Sequence, residues 1–94
     1  MNAIRIEREF TVMRELGLHA RPAGRFVSLA ERFACEIEVR RGGEWVNGRS
    51  VLSILSLAAS QGTVLWIRAV GEDAEQAVIA LGALLEEPGE AVSG

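Results

Sequence analysis

The sequence predicts an α+β protein. It is an open-faced sandwich in the order β-α-β-β-α-β-α, with an antiparallel or mixed sheet and its helices on one face. Two observations carry this. Segments whose apolar residues recur at every second position alternate with segments of helical spacing. The tight Gly42-Gly43 turn joins the second and third strands as a hairpin, which argues against a purely parallel sheet. With 94 residues, 49% of them hydrophobic, the chain closes one modest core. The domain is expected to span residues 1–88, with residues 89–94 a frayed C-terminal tail.

The elements follow in order. Ile4, Ile6, Phe10 and Val12 alternate with Arg5, Glu7, Glu9 and Thr11 as a half-buried strand, Arg8 being the exception on the inner face. After Pro22 the spacing of Phe26, Val27, Leu29, Ala30 and Phe33 is that of an amphipathic helix, with Gly24 costing it up to ~1 kcal/mol against alanine. Ile37 and Val39 alternate with Glu36, Glu38 and Arg40 in a second strand, and Glu44 to Val46 returns as a third. Ser50 opens a short helix through Val51, Leu52, Ile54, Leu55 and Leu57, running to Gly62. Leu65, Ile67 and Ala69 form one face of a fourth strand, with Val64, Trp66 and Arg68 on the other. A last helix follows Glu72-Asp73 with Ala74, Ala77, Val78, Leu81, Leu84 and Leu85, acidic in its first turn, and ends at Pro88-Gly89. The outer sheet face then carries Arg5, Glu7, Glu9, Glu38, Arg40 and Arg68, polar as a solvated face should be.

The run Gly17-Leu18-His19-Ala20-Arg21-Pro22-Ala23 sets the only histidine of the chain at the start of the first helix. Proline is tolerated only in the first turn of a helix, so the helix opens near Ala20 or Arg21 and His19 lies just outside it. The first amides of a helix, here those of Ala20 and Arg21, carry unpaired N–H groups. With the Arg21 guanidinium they make a site for a doubly charged anion, and an imidazole nitrogen held there can accept a phosphoryl group. Arg21 and Arg25 flank the histidine, while carboxylates gather at Glu72-Asp73, Glu75 and Glu86-Glu87.

Net charge of −3 argues against a nucleic-acid partner. No apolar stretch approaches the ~20 residues of a membrane span, and the N-terminus does not read as a signal peptide. A cytoplasmic location is expected. Cys35 has no internal partner for a disulfide and reads as a small buried hydrophobe. Neither a Walker-type loop nor a metal-ligand cluster is apparent, so no cofactor or metal is expected.

The Gly-Leu-His-Ala-Arg-Pro-Ala run, the Val46-Asn47-Gly48-Arg49-Ser50-Val51 segment, Gly62 and Gly71-Glu72-Asp73-Ala74 occur in register. From Phe10 to Leu85 the chain resembles the HPr family, the histidine phosphocarriers of the phosphoenolpyruvate:sugar phosphotransferase system. The resemblance implies four antiparallel strands in the order 1-4-2-3. It implies that His19 receives a phosphoryl group on Nδ1 from phosphorylated enzyme I and passes it to an enzyme IIA domain. Arg21, with the amides of Ala20 and Arg21, would balance the charge of the group in transfer. The chain is then a carrier with a phosphohistidine intermediate rather than an enzyme.

Ser50 matches a serine that HPr kinase/phosphorylase modifies in several bacterial groups; an ordinary helix-capping serine would look the same. The resemblance places a partner-docking patch at Val51, Leu52 and Leu55, with Gly24 and Arg25 on its rim, although family members often carry a larger residue at the Gly24 position. Trp45 and Trp66 fall on the outer parity of their strands. A carrier of this kind is expected to act as a monomer through weak, fast interfaces. Two other readings stay open. One is a mainly regulatory protein, read through Ser50 or serving a nitrogen-type phosphotransfer branch. The other is an interaction module that is never phosphorylated.

Overall fold

In the computed structural model, which describes residues 3–88, the chain runs β1 (Arg5–Thr11), α1 (Ala20–Ala30), β2 (Glu36–Arg40), β3 (Val46–Asn47), α2 (Val51–Ser56), β4 (Val64–Val70) and α3 (Ala74–Glu86). The sheet order is β1-β4-β2-β3 and every neighbouring pair is antiparallel. Arg5 faces Val70 and Thr11 faces Val64 across β1 and β4, while Glu36 faces Val70 and Arg40 faces Trp66 across β2 and β4. A one-residue slip would exchange the two faces of each strand, so the alternation of apolar and charged residues fixes this register. Ile37, Val39, Leu65, Ile67 and Ala69 are buried on the helix side, where they meet Phe26, Ile54, Val78, Leu81 and Leu85. The strand parity and the predicted layer arrangement hold.

Several boundaries differ from the sequence reading. The third strand is only Val46–Asn47, because Glu44 and Trp45 belong to the connection around Gly42-Gly43. Helix α1 stops at Ala30, leaving Phe33 beyond its end but still half-buried against the core. Helix α2 does not run to Gly62; it ends at Ser56, and Ala58 takes φ of 50°, a conformation that no continuing helix allows. Ile4 precedes β1 and is exposed. Arg8, the charged residue on the inner side of edge strand β1, reaches Glu75 in the first turn of α3 at 3.8 Å. Close approach of α3 to β1 needs Gly82, since a Cβ there would collide with the Phe10 ring.

The polar sheet face is occupied by its own contacts. Arg40 lies 4.8 Å from the ring centroid of Trp45 and 5.9 Å from that of Trp66, and Arg68 lies 4.1 Å from Trp45. Arg68 also donates to Glu38. Both tryptophans are half-buried in this arginine–aromatic stack.

Asp73 stands at the N-cap of α3 without capping it. Its carboxylate instead accepts the amides of Ala34 at 2.8 Å and Cys35 at 2.9 Å, tying the α1–β2 connection to the start of α3. The Ala34 amide, followed by Cys35, holds the Asp73 carboxyl below its ordinary range. A carboxyl so depressed contributes stability above the unfolded value of about 4, and that contribution disappears as pH falls through the folded value. Melting curves across the acid range should therefore show a shallower acid limb for Asp73→Ala than for the parent, from a lower plateau at neutral pH. An identical limb would contradict this assignment. Cys35 is buried, and its thiol is pushed up to about 11, by burial first and then by the nearby Asp73 carboxylate.

Candidate functional site

The loop between β1 and α1 is shaped so that the chain presents His19 at its surface. Gly17 takes φ of 72°, where a side chain is strained, and a Cβ there would strike the Ala59 carbonyl. The Leu18 amide donates to that same carbonyl at 2.9 Å, so the α2–β4 connection supports the loop from below. Leu18 is buried, and His19, directly after it, is exposed.

His19 is the N-cap of α1, with extended backbone (φ −83°, ψ −169°). Its side chain caps nothing, so the imidazole nitrogens are left for a group from outside the helix. The first helical bond runs from the Ala23 amide to the His19 carbonyl at 3.0 Å. Pro22 has no N–H, so Ala20 and Arg21 supply the unsatisfied donors of the first turn. Arg21 is exposed and forms no ion pair among the described residues. Oriented amides, with an unpaired arginine two residues from an uncommitted imidazole, can seat a phosphoryl group.

From Arg21 a groove of about 680 Å³ continues between α1 and α3, lined by Gly24, Arg25, Leu29, Arg32 and Leu84. Gly24 and Arg25 therefore lie on the same side as Arg21, with the exposed Arg25 held 3.5 Å from Glu87.

Ser50 caps α2: its Oγ accepts the Ser53 amide at 3.2 Å and its carbonyl accepts the Ile54 amide at 3.0 Å. Helix α2 packs against α1 and β3. Leu52 is 80% exposed and Val51 is also exposed, whereas Leu55 is half-buried against the core. This corrects the expectation in one respect: Leu55 is not fully presented, although Ile54 is the only residue of this short helix that is buried.

Arg49, to which the sequence assigned no task, is spent on structure. Its Nη2 donates to the carbonyls of Phe33 at 2.6 Å and Cys35 at 2.7 Å, fastening the end of the α1 region to the strand–helix turn before Ser50. Arg14 was likewise not singled out, and Glu87 was noted only as one of a cluster of carboxylates; nothing in their local sequence marks the contact they make across 73 positions.

An open-faced sandwich that offers an exposed, uncommitted histidine at a helix N-terminus suits a phosphocarrier. Comparison with known proteins agrees. Residues 6–87 match the family model for the PTS HPr component phosphorylation site. The phosphocarrier protein HPr of Lysinibacillus sphaericus is 44% identical over 81 residues, covering 86% of this chain and 92% of that protein. The crystal structure of HPr from Bacillus anthracis superimposes with a TM-score of 0.83 at 38% identity, covering 86% of this chain and 96% of that one. Crh of Bacillus subtilis, the catabolite repression protein seen as a swapped-domain dimer, gives 0.71 at 39% identity over 79% of this chain and 85% of that one. The chain belongs to the HPr family of the phosphotransferase system and is a phosphocarrier. Among the described residues, no helix is long and apolar enough to cross a membrane.

Proposed function

We propose that His19 is the phosphoryl acceptor, taking the group on Nδ1 from phosphorylated enzyme I and yielding it to an enzyme IIA domain. The observation that carries this is the imidazole at the α1 N-cap, engaged by none of its own helix's amides, beside the free donors of Ala20 and Arg21. A neutral imidazole nitrogen supplies the electron pair for the new P–N bond as the bond from phosphorus to the donor breaks. Charge on the oxygens in flight is met by the two amides, which need no reorganisation, and by the exposed Arg21 guanidinium. The phosphoramidate formed is itself a good donor, so the protein relays the group without using a nucleotide. The exposed Leu52 and Val51, with Gly24 and Arg25 across the helix pair, provide the surface for transient partners, and the chain works as a cytoplasmic monomer.

Intact mass after incubation with phosphoenolpyruvate and enzyme I tests this. One added phosphoryl group, lost on brief acid treatment, is the expected result, and Arg21→Ala should acquire it about tenfold more slowly. No gain while another HPr is labelled in parallel would reject the carrier reading of His19.

A second, compatible reading concerns Ser50, which we propose as a regulatory phosphorylation site for a kinase of the HPr kinase/phosphorylase type. Its support is the position of the hydroxyl beside the exposed Val51 and Leu52, where added charge would meet any partner docked on that patch.

A further inference from the structure

Arg14 carries the one buried cation among the described ion pairs: its side chain is 3% exposed, and Nη2 donates to Glu87 Oε1 at 2.7 Å. Its Nε is buried with no hydrogen-bond partner. Holding a guanidinium out of water in this way is costly, and an apolar residue would fill the same space at less expense.

The pair stands where the chain leaves β1 for the histidine. The Arg14 carbonyl accepts the Gly17 amide at 3.0 Å, and the Met13 amide donates to the Leu85 carbonyl at 3.2 Å. The loop is thus tied to the end of α3 by both backbone and side chain. The same Glu87 oxygen lies 3.5 Å from Arg25 Nη2, one helical turn beyond Arg21. A single carboxylate oxygen therefore joins the segment that precedes His19 to the helix that follows it.

We propose that Arg14, anchored by Glu87, is a positioning residue for phosphoryl transfer. It fixes residues 14–18 and with them the bearing of the imidazole against the Ala20 and Arg21 amides. Transfer demands alignment of donor, phosphorus and acceptor nitrogen, and small misplacements of a reacting group cost rate rather than binding. The inference rests on His19 being the acceptor.

The test is single-turnover transfer from phosphorylated enzyme I to the full chain, resolved into a limiting rate and a half-saturating concentration. Arg14→Met preserves bulk and burial while removing the charge. Its limiting rate should fall about tenfold with half-saturation changed by no more than about twofold, and Arg14→Lys should recover a large part of the loss. An unchanged limiting rate in folded Arg14→Met, or a change confined to half-saturation, overturns the proposal. If Arg14→Met does not fold, Glu87→Gln replaces it, since it removes the charge and keeps an acceptor oxygen. A limiting rate lowered by about threefold is then expected, and parental behaviour overturns the proposal. Failure of the parent chain to be labelled would instead reject His19 as acceptor.

Discussion

His19→Ala is expected to fold as the parent does and to accept no phosphoryl group from phosphoenolpyruvate and enzyme I. The side chain is exposed and caps nothing, so alanine leaves the core untouched and forfeits no helix-capping bond. Stability should change by no more than ~0.5 kcal/mol, as for other surface substitutions. Transfer, in contrast, has no substitute nucleophile at this position, because His19 is the only histidine in the chain. Mass and acid lability read the result directly. An acid-labile label that persists in His19→Ala would show that the group resides elsewhere and would remove the assignment.

Ser50→Asp should slow transfer from enzyme I by about a hundredfold while the fold is retained. Aspartate is as good an N-cap as serine, so its oxygen can replace the Ser50 Oγ that accepts the Ser53 amide. Melting should shift by less than ~1 kcal/mol in equivalent stability. The new charge would stand next to Val51 and Leu52, and a partner seated on that patch would have to desolvate it or face it with a like charge. Such juxtapositions cost several kcal/mol, and each 1.4 kcal/mol is a factor of about ten. Ser50→Ala separates charge from capping: it should lose ~1 kcal/mol of stability and keep the parental transfer rate. If Ser50→Asp transfers as fast as the parent, Ser50 is a cap and the regulatory reading fails.

Much of the site was legible because it is local. Pro22 dates the start of α1 within a residue, and that alone puts His19 outside the helix with Ala20 and Arg21 in its first turn. Ser50 as a cap follows from the same kind of short-range rule. The exposed apolar surface of α2 was less legible, since Leu52 and Leu55 are both leucines on one short helix and differ only in how far the core reaches each.

By itself the sequence determined the order of elements and the inward face of each long strand. It also set the histidine at a helix entrance, because periodicity, a proline and a capping serine act over a few residues. Only the tertiary structure decided how much of β3 pairs, where α2 stops, and that Asp73 serves the α1–β2 connection instead of its own helix. It alone joined Arg14 to Glu87 and set Arg49 against the end of the α1 region. Those contacts link residues distant in the chain, and an arginine destined for burial has the same local surroundings in sequence as one destined for water.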